Sequence, residues 1–227
     1  MAEKPRECRA RVTAIRALTP DVLEADLVMI DPPALAFDAG QWISVPFGPR
    51  LVRAYSIASS PRASSVLTLC ADVAPAGLGS QWFRGLAPGA EVAFKGPLGG
   101  FVLEPGDQRR LLLVAEEIGI VPARGIAHEL AAGGFARPAT LVYWARDAGW
   151  LVHDADLRAL ARQHRGFAYH PVTSAEGEAA GVVERLVTDV DGLVAYVAGG
   201  EATIKAVRAV LMGKGMERKA VKWEKFW

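Results

Sequence analysis

The sequence predicts a β plus α/β protein, with an N-terminal six-stranded antiparallel Greek-key barrel followed by a C-terminal doubly wound parallel-sheet domain. Three observations predict it. Up to about residue 103, short apolar runs rich in Val, Ile, Leu and aromatics alternate with Pro, Gly, Asp and Ser. Beyond that point, apolar runs alternate with segments of helical period. Between them lies Gly96-Pro97-Leu98-Gly99-Gly100-Phe101, a tight exit that suits a boundary. The expected domains are residues 1–104 and 105–227.

In the first half, strands are expected over 12–18, 22–28, 42–47, 54–58, 66–71 and 91–94. One element breaks the series. Residues 79–86 start with Ser80 and carry Gly85 near their end, which suggests a short helix capped by Ser80. Six strands with one helix before the last suggest a small antiparallel barrel.

In the second half, Leu111-Leu112-Leu113-Val114-Ala115 is a continuous apolar run, as a buried parallel strand requires. Pro122 opens a helix that Gly133 and Gly134 end. Strands over 140–145, 167–173 and 193–198 alternate with helices over 154–164, 181–190 and 201–212, and 221–227 is a final strand or an extended tail. This order places a ligand crevice at the strand C-termini. The loops there are 116–122, 146–149, 173–177 and 199–203.

Length and composition narrow the function. The 227 residues suit two domains of about 100 each, and 51% are hydrophobic, enough for sizeable cores. With 26 basic against 25 acidic residues, no global field favours nucleic acid or an anionic membrane. Cys8 and Cys70 are too few to hold an iron–sulfur cluster, and two thiols in such a chain point to a reducing compartment. The first ten residues lack the apolar core of a signal peptide. No uninterrupted apolar stretch reaches the length of a membrane span. A soluble, cytoplasmic protein is expected.

Two segments carry candidate chemistry. Arg53-Ala54-Tyr55-Ser56-Ile57-Ala58-Ser59-Ser60-Pro61 sets a fixed cation, a planar aromatic and small hydroxyls side by side. A flat anionic ligand such as a flavin dinucleotide needs those groups: Arg53 for a phosphate, Tyr55 for the ring–ribityl region, Ser56 for a ring nitrogen. Gly77-Leu78-Gly79-Ser80 follows some two dozen residues later, one hairpin return away, and its bare backbone N–H groups suit the same pyrophosphate. The plain alternatives are a strand running into a serine-rich turn, and an ordinary capped turn.

In order along the chain, R-A-Y-S-I-A-S-S-P, G-L-G-S, G-P-L-G-G-F, I-G-I-V-P, Y-W-A-R, A-G-G and E-K-F-W resemble the ferredoxin–NADP reductase superfamily over roughly residues 8–227. The resemblance implies a flavin-binding barrel, a nicotinamide-dinucleotide domain, and electron passage between nicotinamide and a one-electron carrier. It places Arg53, Ala54, Tyr55, Ser56 and Ile57 on the flavin, with Leu69, Cys70 and Ala71 lying along it and Gly77, Gly79 and Ser80 at its phosphates. It also implies that Glu224 relays protons near the flavin edge and that Phe226 or Trp227 covers the ring. The serine-rich segment and aromatic end resemble the FAD-containing branch. For the dinucleotide it points to Gly119, Pro122, Arg146, Ser174 and Gly199, with Arg146 equally a capping or salt-bridging residue.

The departures from the family fall in the second half. Its loop G-G-T-G-I-A-P is here Glu116-Glu117-Ile118-Gly119-Ile120-Val121-Pro122. Carboxylates there either repel a pyrophosphate, at a ceiling of roughly 3 kcal/mol for charges about 5 Å apart, or point to solvent. The family's C-G-P loop is here Ala198-Gly199-Gly200, followed by Glu201, and Ser174 is followed by Ala175 and Glu176 where NADPH-selective members carry arginine. The expected function is an oxidoreductase passing electrons between NAD(P)H, NADH favoured, and an iron–sulfur or haem protein through FAD. The alternative is an FAD-bearing electron-transfer subunit or binding module with a degenerate nicotinamide site. A flavin-free fold kept for structural or regulatory binding ranks third.

Overall fold

A computed structural model describes residues 4–226. The chain divides into two compact units, residues 1–103 and 104–227. The first holds strands β1 (Arg6–Ala17), β2 (Val22–Asp31), β3 (Trp42–Pro46), β4 (Val52–Ser56), β5 (Val66–Asp72) and β6 (Glu91–Leu98), with helix α1 (Leu78–Arg84) between the last two. Its sheet runs β4-β3-β6-β1-β2-β5, and every paired neighbour is antiparallel. The two ends meet: Ile57 bridges Leu69, and Ala58 N donates to Thr68 O at 2.7 Å. The sheet is therefore a closed barrel, which removes both exposed edges.

Alternation explains the packing. In β1, Cys8, Ala10 and Val12 point inward while their neighbours face out. They meet Leu27, Ile43, Leu67 and Phe94 in one apolar core. Register shifts at Arg9/Ala10 and Val12/Ala14 let the 12-residue β1 bend around the barrel. Two expectations need correction. Ser80 does not cap α1: the helix begins at Leu78, Gly77 is its N-cap, and no side chain caps it. The glycine–proline exit is not a turn at its start, because β6 runs through Gly96 and Pro97 to Leu98.

The second unit holds β7 (Arg110–Glu116), α2 (Ile120–Ala132), β8 (Ala139–Ala145), α3 (Asp154–Gln163), β9 (Phe167–Thr173), α4 (Ala179–Leu186), β10 (Leu193–Gly199), α5 (Glu201–Gly213) and β11 (Val221–Lys225). The five strands are parallel in the order β11-β10-β7-β8-β9. Counted within the unit this is 3-2-1-4-5 read from the far edge, a doubly wound sheet whose order reverses between β7 and β10. The central strands are apolar from Leu111 to Ala115 and from Leu193 to Ala198 because helices cover both faces. Val182, Val183, Ile204, Val207 and Leu211 supply part of that cover. The outer strand β9 carries Pro171 and half-buried His170. Residues 221–225 form a true strand, settling the alternative of a tail.

Two helices differ from their expected spans. The helix opened by Pro122 starts at Ile120, so the proline sits inside the first turn, where its missing N–H costs nothing. The helix expected over 181–190 is α4, residues Ala179–Leu186. Its apolar spacing continues past Leu186, but Val187 is extended, and the Asp189 carboxylate accepts from Asp191 N to turn the chain into β10.

A buried ionic clasp fixes the entry to β7. Arg109 donates to Asp107 through Nε at 3.0 Å and Nη2 at 2.7 Å, while buried Arg137 stands 3.8 Å from the same carboxylate and donates to Arg109 O. The Arg109 guanidinium holds the Asp107 carboxyl at about 2, against an opposing burial effect, below its ordinary 3.8. A depressed folded-state value means stability that is complete above about pH 4 and lost as pH falls toward 2. The gap in unfolding free energy between wild type and D107N, from urea titrations at stepped pH, is expected to shrink across that window. A gap that stays constant would show that Asp107 does not sense acid through this clasp.

Candidate functional site

The first unit brings together the two segments that the sequence separates. Arg53, Ala54, Tyr55 and Ser56 lie on β4, with Ile57 just beyond its end. The Tyr55 ring is buried against Trp82 and Phe83 of α1, at centroid distances of 5.2 and 5.6 Å. Its hydroxyl donates to Gly79 O at 3.0 Å. Burial pushes the phenol up to about 12, with Arg53 opposing, so Tyr55 is a neutral donor. A Cβ on Gly79 would fall 2.9 Å from Tyr55 Oη and 3.1 Å from Arg53 Cγ. Glycine is therefore what allows α1 to close onto β4.

The chemistry at this corner suits a flat anionic ligand. Among the described residues, the Arg53 guanidinium donates only to the neighbouring Val52 carbonyl, so its other donors face outward. Gly77 and Gly79 leave bare backbone beside it. With only seven residues, α1 has little dipole, so the local N–H groups matter more than its axis. Ser56 is buried. Leu69 bridges Ile57 on one side and pairs with Ala25 on the other, and Cys70 and Ala71 continue the strand past that bridge. Ser80 lies inside α1, half-buried.

In the second unit, neither glutamate after β7 points to solvent. Glu116 reaches across to α5, where its Oε2 accepts from Gly200 N at 2.6 Å. Glu117 is buried, and its Oε1 accepts from Arg146 N at 2.9 Å and Arg146 Nε at 3.0 Å. Glu117 also holds φ +49°, the left-handed region that favours glycine. That backbone costs about 1–2 kcal/mol. Its Oε2 is buried without a hydrogen-bond partner, a further penalty. The two charge-assisted bonds from Arg146 offset these costs.

The turn is packed hard against β10. A Cβ on Gly119 would lie 2.4 Å from Ala198 O, and one on Gly199 would lie 2.7 Å from Glu116 Cβ. Pro122 is buried in the first turn of α2. The loop expected over 199–203 shrinks to Gly200, since β10 ends at Gly199 and α5 starts at Glu201. Glu201 is exposed and pairs with Lys205 and Lys225, so it lies on the surface.

Arg146 and Ser174 also meet. Ser174 Oγ donates to Arg146 O at 2.7 Å, and the Arg146 guanidinium stacks 3.8 Å over Trp150. Arg146 is thus a salt-bridging residue, one of the two roles left open by the sequence. Glu176 turns back on its own loop and accepts from Thr173 N and Oγ1. The Glu117–Arg146–Trp150 cluster is the part that sequence reasoning missed. Its only signal was a glutamate where a left-handed turn needs glycine.

At the far edge, Glu224 lies on β11 in register with Ala198. Burial pushes its carboxyl up to about 7. Phe226 N donates to Gly199 O at 3.1 Å, which ties the chain end to the same strand. Trp227, the other candidate for covering a ring, lies outside the described residues.

The oxidoreductase FAD-binding domain family matches residues 9–103. Ferredoxin–NADP reductase B of Sorangium cellulosum is 33% identical over 171 residues, covering 74% of this chain and 70% of that protein. The aromatic O-demethylase reductase subunit of an Amycolatopsis species is 33% identical over 182 residues, 77% of this chain and 54% of that one. The chain thus spans about half to 70% of these relatives. Among solved structures, the Amycolatopsis cytochrome P450 reductase GcoB superposes with a TM-score of 0.88 at 28% identity, covering 98% of this chain and 70% of that one. The ferredoxin reductase in carbazole 1,9a-dioxygenase gives 0.83 at 26% identity, covering 100% of this chain and 71% of that one.

The crowding at Gly119 is testable by stability. Gly119→Ala places a methyl against a backbone carbonyl that cannot rotate away, and is expected to cost about 1–3 kcal/mol or more in urea unfolding. Gly213→Ala, at a helix end with open space around it, serves as the control and is expected to be neutral or stabilising. Equal effects at the two sites would refute the packing argument.

Proposed function

The chain belongs to the ferredoxin–NADP reductase superfamily of FAD-binding reductases, and from that premise we propose that it passes electrons between NADH and a one-electron iron–sulfur or haem protein. The observation that carries this reading is the joined corner of β4 and α1. There Arg53, bare glycine backbone and buried Ser56 fit the phosphates and ring edge of FAD. When bound, FAD supplies the exchange between two-electron and one-electron chemistry.

The residues divide the work. Arg53 holds a phosphate with the N–H groups of the Gly77 to Ser80 backbone. Tyr55, its ring buried and its hydroxyl bonded to Gly79 O, keeps α1 in place behind the ligand. With FAD bound, Ser56 would hold the ring edge, with Ile57 packed behind it. Ala54 and the backbone of Leu69, Cys70 and Ala71 line the ligand's length. Glu224 exchanges a proton near neutral pH, the range that suits acid–base work. In the second unit Gly119, Pro122 and Gly199 shape the nicotinamide-dinucleotide crevice, and Arg146 and Ser174 border its adenosine end.

NADH is favoured over NADPH because the cation that would meet a 2′-phosphate is already engaged. Arg146 bonds Glu117 and stacks on Trp150, and Glu176 adds an acid nearby. A reducing compartment, the cytoplasm, suits the two buried thiols Cys8 and Cys70. No described helix is long and apolar enough to cross a membrane. A second reading keeps FAD but takes electrons from a protein in place of free nicotinamide. The grip of Glu116 on Gly200 N favours it.

Anaerobic mixing of the holoprotein with excess NADH is expected to bleach the visible absorbance of oxidised flavin. Persistent colour would reject the first reading in favour of the second. Arg53→Ala is expected to weaken FAD binding by about tenfold to a hundredfold, measured by flavin fluorescence on dilution. Retained affinity would remove Arg53 from the site. The Glu224 carboxyl is protonated below about 7 and charged above it. The rate of flavin reduction is therefore expected to show an inflection near neutral pH that Glu224→Gln abolishes. An identical profile in the variant would exclude Glu224 as the titrating group.

A further inference from the structure

The crevice of a doubly wound sheet opens where its strand order reverses, here at the C-terminal ends of β7 and β10. At such a point a dinucleotide's pyrophosphate is met by backbone N–H groups that begin a helix. In this chain that donor already has an anion. The Glu116 carboxylate leaves the end of β7, crosses the reversal point and accepts from Gly200 N at 2.6 Å, directly before α5. It also fills the floor of the crevice, since a Cβ on Gly199 would sit 2.7 Å from both its Cβ and its Oε2. The next residue repeats the pattern: buried Glu117 takes the N–H and Nε of Arg146 at the end of the neighbouring strand β8. Two adjacent carboxylates have therefore each taken a backbone N–H beside the turn, Gly200 N for Glu116 and Arg146 N for Glu117.

We infer that Glu116 is an internal anion standing in the place of a pyrophosphate, so that this chain discriminates among hydride donors by their phosphates. The inference rests on the proposed reading of the second unit as a nicotinamide crevice. An arriving pyrophosphate must either displace Glu116 from Gly200 N or lie beside its charge. Glu117 adds to the effect, because the arginine that would balance that charge is bonded to it. A donor that carries no phosphate meets neither obstacle. The arrangement is not that of solvated loop acids, since both side chains end on specific donors and one is buried.

The test separates binding from chemistry. ADP-ribose, which has the pyrophosphate but no nicotinamide, is titrated calorimetrically into holoprotein of wild type, E116Q and E116G. Glutamine keeps an acceptor for Gly200 N and removes the charge, whereas glycine removes both. The Kd for ADP-ribose is expected to tighten at least about tenfold in E116G and by a smaller factor in E116Q. In parallel, anaerobic mixing with an uncharged benzyl-dihydronicotinamide reports whether each flavin accepts hydride from a donor that carries no phosphate. Flavin content reports folding, and if E116G loses flavin then E116Q decides. ADP-ribose affinity unchanged in the folded variants overturns the inference. Failure of the benzyl donor to bleach any of the proteins would count against the proposed function alone, because the ADP-ribose result would still stand or fall separately.

Discussion

The close approach of the turn after β7 to the end of β10 is the constraint on which the second unit depends. Gly119 lies so near the Ala198 carbonyl that no side chain fits between them. That contact fixes how α2 leaves the sheet and where Glu116 and Glu117 can point. With the floor of the crevice set by backbone, Glu116 can reach only across to Gly200 N, and Glu117 can find donors only at the end of β8. The left-handed backbone of Glu117 follows from the same geometry. A conformation suited to glycine is retained by a charged residue because its part-buried hydrogen bonds to Arg146 offset about 1–2 kcal/mol of backbone strain.

The first unit is organised by a smaller contact with the same logic. Tyr55 joins β4 to α1 through one hydrogen bond to a carbonyl and two aromatic neighbours. A missing Cβ at Gly79 lets the two elements meet. Arg53 then projects from a wall that cannot tilt, which is what a phosphate-binding cation needs. The two units leave their arginines in opposite states. One presents an arginine whose donors remain available. The other has its arginine and its helix-leading amide satisfied from within.

Much of this was legible in the chain. The continuous run from Leu111 to Ala115 reads as a strand covered on both faces, and six apolar runs punctuated by turn residues, with one short helix before the last, predicted a barrel. The Arg53 and Gly79 segments were recognisable as partners because one hairpin return separates them. Other features were hidden. Ser80 has the composition of a cap, but the helix starts where backbone geometry allows, at Gly77. The end of α4 depends on Asp189 bonding Asp191 N, a local choice that apolar spacing does not encode. The partners of Glu116 and Glu117 were invisible because they lie 84 and 29 residues away in sequence, and only the parallel register brings them near.

The outer strands of the parallel sheet have their own consequence. β9 and β11 each pair on one side only, leaving a row of backbone groups that could template another chain. Pro171 removes one donor from the middle of β9, and Lys222 and Lys225 set charge along β11. Such features discourage strand addition between copies. An open sheet guarded at both edges in this way is kept from growing by addition of further copies.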